Sequence, residues 1–144
     1  MTYAEWEREV PAVIRSDSLW RVEAYRLSLF LSDLAWEDAT ILLNDERTRG
    51  ITNQLYRAAG NISANISEGY SRHTGKQRAL YYEYALGSVR ETRDWYYKGR
   101  HVLAKAVVDH RLELSTSIVR LTLTMTDHER STNRTVSKAK GALT

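Results

Sequence analysis

The arginines carry the spacing with the most chemical content. Arg90, Arg93, Tyr97 and Arg100 share one face if the segment around them is helical, and Arg72, His73, Lys76 and Arg78 cluster just before it. Guanidinium groups neutralise phosphates and aromatic rings stack on unpaired bases, so this mixture suits a nucleic-acid backbone. It also describes a solvated helix face with Arg90–Asp94 and Asp94–Lys98 paired at i, i+4. No recognition motif accompanies it, so the chemistry implied is phosphate contact, not sequence readout. A second polar set, Arg57, Asn61, Asn65, Glu68 and Arg72, follows one flank of the preceding helical segment. These side chains either contact phosphates and bases or satisfy groups between helices, where polar residues set register. The second reading is preferred, with Arg72 as the partner of Glu68 at i+4.

Other chemistries fit poorly. His73, His101, His110 and His128 show no i, i+4 pairing with one another, so no metal site is expected. The stretch from Gly69 to Lys76 has the glycines and lysine of a phosphate-binding loop. Five residues separate the glycines instead of four, Gln77 replaces the hydroxyl that would hold magnesium, and the stretch joins helix to helix. Asp33 and Glu37 lie at i, i+4, but no apolar pocket that would push their pKa values apart can be inferred. With no cysteine, thiolate chemistry and disulfides are excluded. No catalytic residue and no cofactor is expected. An enzyme site assembled between subunits would show as converging His, Glu or Asp groups in a pocket.

Helices must position these groups, because one proline and seven glycines in 144 residues leave few breakers. Residues 1–17 form a lead-in, with Tyr3, Trp6 and Val10 on one edge of a short helix ending before Pro11; Ser16, Asp17 and Ser18 offer caps. A first long helix spans residues 19–43, with Trp20, Ala24, Leu27, Leu31 and Leu34 as its stripe. A second spans residues 51–70, with Leu55, Ala58, Ile62 and Ile66 inward and small residues such as Ala59, Gly60, Ser63 and Ser67 on one flank. Thr74 and Gln77 make a capping box for a third helix running past Leu103, in which Gly87 and Gly99 suggest tight contacts. Asp109 caps a fourth, whose stripe is Leu114, Ile118, Leu121 and Met125. The chain divides into the lead-in (1–17), a bundle (18–126) and a polar, basic tail (127–144) with a frayed end.

The net charge of +3 is uneven. Residues 1–50 hold six Lys and Arg against ten Asp and Glu, a balance of −4, and residues 51–144 hold fifteen against eight, +7. Either an anionic partner meets the second part, or acidic and basic helices attract each other within the fold or between subunits. The acidic N-terminus is no secretory signal and no apolar run is long enough to span a membrane, so a cytoplasmic protein is expected.

LYRAAGNISANISEGYSR (residues 55–72) followed by ALGSVRET (residues 85–92) resembles a four-helix-bundle family that includes proteins encoded in intervening sequences of bacterial 23S ribosomal RNA genes. Arg57, Ala58, Ala59, Ile62, Asn65, Ile66, Glu68, Gly69 and Arg72 fit the first motif, and Ala85, Leu86, Gly87, Ser88 and Glu91 the second. The similarity is sharp over residues 50–95 and looser elsewhere. The acidic lead-in and Tyr81, Tyr82 and Tyr84 depart from the pattern. The resemblance implies an up-down bundle without enzymatic activity, a homo-oligomer (ring-like pentamers in the family), and Asn65, Glu68, Arg72, Ser88 and Glu91 as the shared polar residues. A more distant branch comprises accessory proteins of diversity-generating retroelements, which bind nucleic acid and a reverse transcriptase.

The expectation is an all-α, antiparallel four-helix bundle acting as an oligomeric binding module. Its RNA or DNA contacts would be Arg57, Arg72, Lys76, Arg78, Arg90, Arg93 and Arg100. The alternative is a scaffold or accessory subunit for a protein partner such as a reverse transcriptase.

Overall fold

Residues 1–142 are described in a computed structural model of the chain, the side chains of residues 133–137 excepted. Leu143 and Thr144, the end of the predicted tail, lie outside the described residues. Six α-helices follow one another: α1 (Tyr3–Glu9), α2 (Ala12–Arg15), α3 (Glu23–Leu42), α4 (Arg49–Tyr70), α5 (Gly75–Lys98) and α6 (Lys105–Ala142). Short 3-10 turns precede α3 and follow α5. No strand occurs among the described residues. The long helices α3 to α6 pack in sequence order, each against the next, and α6 returns to α3 along a shorter seam. Short connectors make neighbours antiparallel, as expected of an up-down bundle. The pairs Arg78–Glu129 and Arg93–Thr116 show this between α5 and α6.

The lead-in is more structured than a linker. Thr2 and Glu5 form a full capping box, with Glu5 N donating to Thr2 Oγ1 at 3.2 Å and Thr2 N to Glu5 Oε2 at 2.8 Å. Trp6 is buried against α3, its indole N–H donating to Asp33 Oδ2 at 2.6 Å and its ring tilted on Phe30. Asp17 accepts from Leu19 N at 2.9 Å, capping a 3-10 turn over Ser18–Arg21. The helix predicted from residue 19 therefore begins only at Glu23, after Val22 takes an extended conformation.

Two other predicted boundaries move. Instead of running past Leu103, α5 ends at Lys98, where Gly99 caps it and a 3-10 turn follows. Asp109 does not cap the last helix. It lies one turn inside α6 and accepts from Lys105 at 2.5 Å. The helix then passes without a break through residue 127 to Ala142.

The core joins Leu31, Ala35, Leu42, Leu55, Ile62, Ile66, Val89, Tyr96 and Ile118. Each large apolar side chain buried there stabilises the fold by about 1.5–3 kcal/mol. Of the predicted stripe of the last helix, Ile118 is fully buried, whereas Leu114, Leu121 and Met125 are only partly buried. The buried line of α6 joins Ile118 with Ser115, Thr122 and Thr126. Thr122 and Thr126 remain satisfied inside because each donates to the carbonyl four residues back, at 2.7 and 2.8 Å.

Gly69 lets α5 approach α4: a Cβ there would lie 2.7 Å from Tyr82 Cε1 and 3.0 Å from Tyr81 Cβ. Gly99 gives way in the same manner to Leu42. Gly87 faces open space, so the tight contact expected of it does not occur within the bundle. Substituting Gly69→Ala should destabilise the protein by about 1–3 kcal/mol through overpacking. Gly87→Ala should stabilise it by up to about 1 kcal/mol through helix propensity. Urea denaturation separates the two, and equal effects would contradict this packing.

Candidate functional site

The most enclosed polar constellation is one that sequence spacing did not single out. Asp38 of α3, 2% exposed, accepts from Tyr96 Oη of α5 at 2.7 Å. The same oxygen accepts from Arg111 Nε of α6 at 2.7 Å, and Arg111 Nη2 reaches Asp38 Oδ1 at 3.3 Å. Burial, reinforced by the Asp38 charge, pushes the Tyr96 hydroxyl well above the usual tyrosine range, so it stays a donor. Arg111 Nη1 meets His110 Nδ1 at 2.6 Å, and partial burial, then the adjacent guanidinium, lowers the His110 pKa. Asp38 is already filled and closed to solvent, so the cluster holds three helices together and offers no substrate an oxygen.

The seven basic candidates fall in different places. At the α4–α5 turn, Arg72 donates to Tyr81 Oη at 3.0 Å, lies over that ring and pairs with Glu68 at 3.5 Å. Arg78 is bound to Glu129 at 2.9 Å and to the Arg72 carbonyl at 3.0 Å, which leaves Lys76 exposed between them in sequence. Arg100, at the other end of α5, stacks over Tyr97 at 4.0 Å. Arg57 is exposed on α4. Arg93 of α5 donates to Thr116 Oγ1 of α6 at 3.3 Å, and Arg90, one turn before it, is exposed. Beside Thr116, a shallow cleft of about 410 Å³ is lined by Glu113, Ser117 and Arg120. Arg120, absent from the sequence-based set, lines that cleft one turn along α6 from Thr116, the partner of Arg93. Arg57, Lys76, Arg90 and Arg120 make no ion pair among the described residues.

The shared polar residues are mostly engaged locally. Asn65 donates to the Asn61 carbonyl at 2.8 Å, and Trp95 Nε1 donates to Glu91 Oε1 at 3.2 Å. Ser88 accepts at its carbonyl from Thr92 at 2.7 Å. Glu68 is exposed rather than buried. Asp94 pairs with Lys98 at 2.6 Å, not with Arg90.

Across the bundle, the α3–α4 side is acidic and aromatic. Trp36 and Tyr56 meet edge to face at 5.4 Å and are 60% and 41% exposed. They join a cleft of about 580 Å³ that also receives Glu9, Asp33 and Glu37. Among the described residues only one ion pair, Arg111–Asp38, links the acidic first 50 residues to the basic remainder. Attraction within the chain therefore consumes little of the charge asymmetry. No group of three or more His, Asp or Glu among the described residues is placed to hold a metal ion. No helix among them is long and apolar enough to cross a membrane.

Residues 21–124 match the family described as 23S rRNA-intervening sequence protein. In fold, the chain is similar to the crystal structure of a protein with unknown function from the S23 ribosomal protein family, from Bacteroides thetaiotaomicron VPI-5482. The identity is 19%, the TM-score 0.67, and the match covers 72% of this chain and 97% of that one. No curated protein matches.

The buried cluster has a direct stability signature. Asp38→Asn leaves the Arg111 charge buried without its counter-charge and should cost about 3–5 kcal/mol. Tyr96→Phe removes one hydrogen bond to a charged acceptor and should cost about 1.5–3 kcal/mol. Urea unfolding measures both. Losses well under 1 kcal/mol would show that the cluster is not structural.

Proposed function

This chain belongs to the 23S rRNA-intervening sequence protein family, and we propose that it acts as a non-enzymatic, homo-oligomeric binding module in the cytoplasm, holding structured RNA or DNA by its phosphates. The observation that carries this reading is the set of arginines where α5 meets α6. Arg93 of α5 reaches Thr116 of α6, Arg120 lines the cleft with Thr116 and Ser117, and Arg90 is exposed one turn before Arg93; none of the three has a carboxylate partner among the described residues. Guanidinium groups on two packed helices suit phosphates spaced along a backbone. Arg57, Lys76 and Arg100 lie elsewhere and add general attraction. Arg72 and Arg78 are held by Glu68, Tyr81 and Glu129 and contribute least.

A second reading, an accessory subunit for a protein partner such as a reverse transcriptase, is favoured by one feature: the exposed Trp36–Tyr56 pair, since aromatic side chains commonly anchor protein interfaces.

Binding of purified protein to structured RNA and duplex DNA across a salt series tests the first reading. Each phosphate neutralised on a duplex contributes about 0.9 to the slope of log affinity against log salt. Arg90→Glu with Arg120→Glu should therefore reduce the slope by about 2 and weaken binding at least tenfold. Absence of wild-type binding at low salt would overturn the nucleic-acid reading and favour the protein partner.

A further inference from the structure

The final helix outruns the bundle. α6 has 38 residues against the 24 of α5 beside it. The ion pairs Arg78–Glu129 and Glu83–Arg130 clamp the two helices near the start of α5. Thr126 is the last buried residue of α6 among those described, and the residues matched to the family stop at 124. Ser131, Thr132 and residues 138–142 are exposed. Residues 133–142, at about 1.5 Å each, therefore carry the helix roughly 15 Å past the clamp.

Composition decides what this overhang can meet. After Glu129 there is no aspartate or glutamate, and Arg130, Arg134, Lys138 and Lys140 follow. Helical spacing keeps these four positions within less than half of the circumference. Val136 is the only large apolar residue between 130 and 142. The overhang thus has no stripe with which to join a protein core or lie in a membrane surface. Cations at i, i+4, as at 130, 134 and 138, repel one another and weaken an isolated helix. The helix dipole offsets this only within the last turn, which Arg130 and Arg134 lie outside. An anion laid along this side removes the repulsion.

We propose that the overhang is an arm that enters the major groove of duplex DNA. This rests on the reading that the protein holds nucleic acid by its phosphates, and it names the form of that nucleic acid. A single exposed helix, about 10–12 Å across with its side chains, fits the roughly 12 Å major groove of B-form DNA. The major groove of an RNA duplex is too deep and narrow for it. Within the groove, phosphates of both strands flank the helix, and cations spread over nearly half its circumference reach both. Glu83 holds Arg130 at the root, so Arg134, Lys138 and Lys140 supply the contacts.

The test is fluorescence anisotropy of the full chain with a short DNA duplex, and with the RNA duplex of the same sequence, across a salt series. Arg134→Gln, Lys138→Gln and Lys140→Gln together should cut the slope of log affinity against log salt by about 2.7 and weaken DNA binding at least tenfold. Val136→Pro keeps every charge but breaks the helix, and should weaken DNA binding several-fold. Both changes lie beyond the last buried residue, so the urea midpoint should not move. Wild-type DNA affinity in either variant, or wild-type protein that binds the RNA duplex as tightly as DNA, would overturn the arm. If both arm variants bind DNA as wild type does while Arg90→Glu with Arg120→Glu binds weakly, the arm proposal fails and the phosphate reading stands. If wild type binds neither duplex at low salt, both fail.

Discussion

A carboxylate in the middle of a helix bundle constrains everything around it. Removing Asp38 from water costs several kcal/mol, and only closely placed donors offset that cost. Arg111 from α6 and Tyr96 from α5 supply them, at three distances that hold together in one register of the helices. The cluster lies where α6 meets α3, the shortest of the bundle's seams. An apolar seam tolerates sliding by a turn with modest loss, whereas a bidentate ion pair does not.

Both exposed faces inherit their positions from that constraint. With Asp38 turned inward, its sequence neighbours Trp36 and Glu37 lie toward the outside of α3, where they line the acidic cleft. With Arg111 turned inward, the outer side of α6 presents Thr116 and Arg120 beside Arg93 of α5. One buried pair thus separates a carboxylate-rimmed aromatic groove from the arginines where α5 meets α6. It is also the point at which the acidic and basic parts of the chain touch through an ion pair among the described residues.

Much of the architecture was legible in the sequence, because α4 and the start of α5 announce themselves by period and capping: Leu55, Ile62 and Ile66 are buried as the stripe requires, and Thr74 accepts from Gln77 N at 3.2 Å. The family was legible from the motifs in those same helices. The last helix was harder to read, since its buried line passes through Ser115, Thr122 and Thr126, which hydropathy marks as polar. Their own helix satisfies two of these hydroxyls, a bond that spacing alone does not reveal. The start of α6 was displaced to Asp109 because that residue has the chemistry of a cap, yet it serves as the i+4 partner of Lys105. Asp38 gave one signal, a carboxylate on a stripe with Leu31, Leu34 and Leu42; which of many arginines answers it is a tertiary fact. Arg120 and Trp36 were missed for a related reason: their significance comes from neighbours on another helix.

A double-mutant cycle across the pair tests the central claim most directly. Asp38→Leu, Arg111→Met and the combined variant would be unfolded in urea alongside wild type. If the two groups exist in the core for each other, the combined change costs far less than the sum of the single ones, with a coupling of about 2 kcal/mol or more. Additive effects would mean that Asp38 and Arg111 are held independently, and that the register of the bundle is set by apolar packing alone.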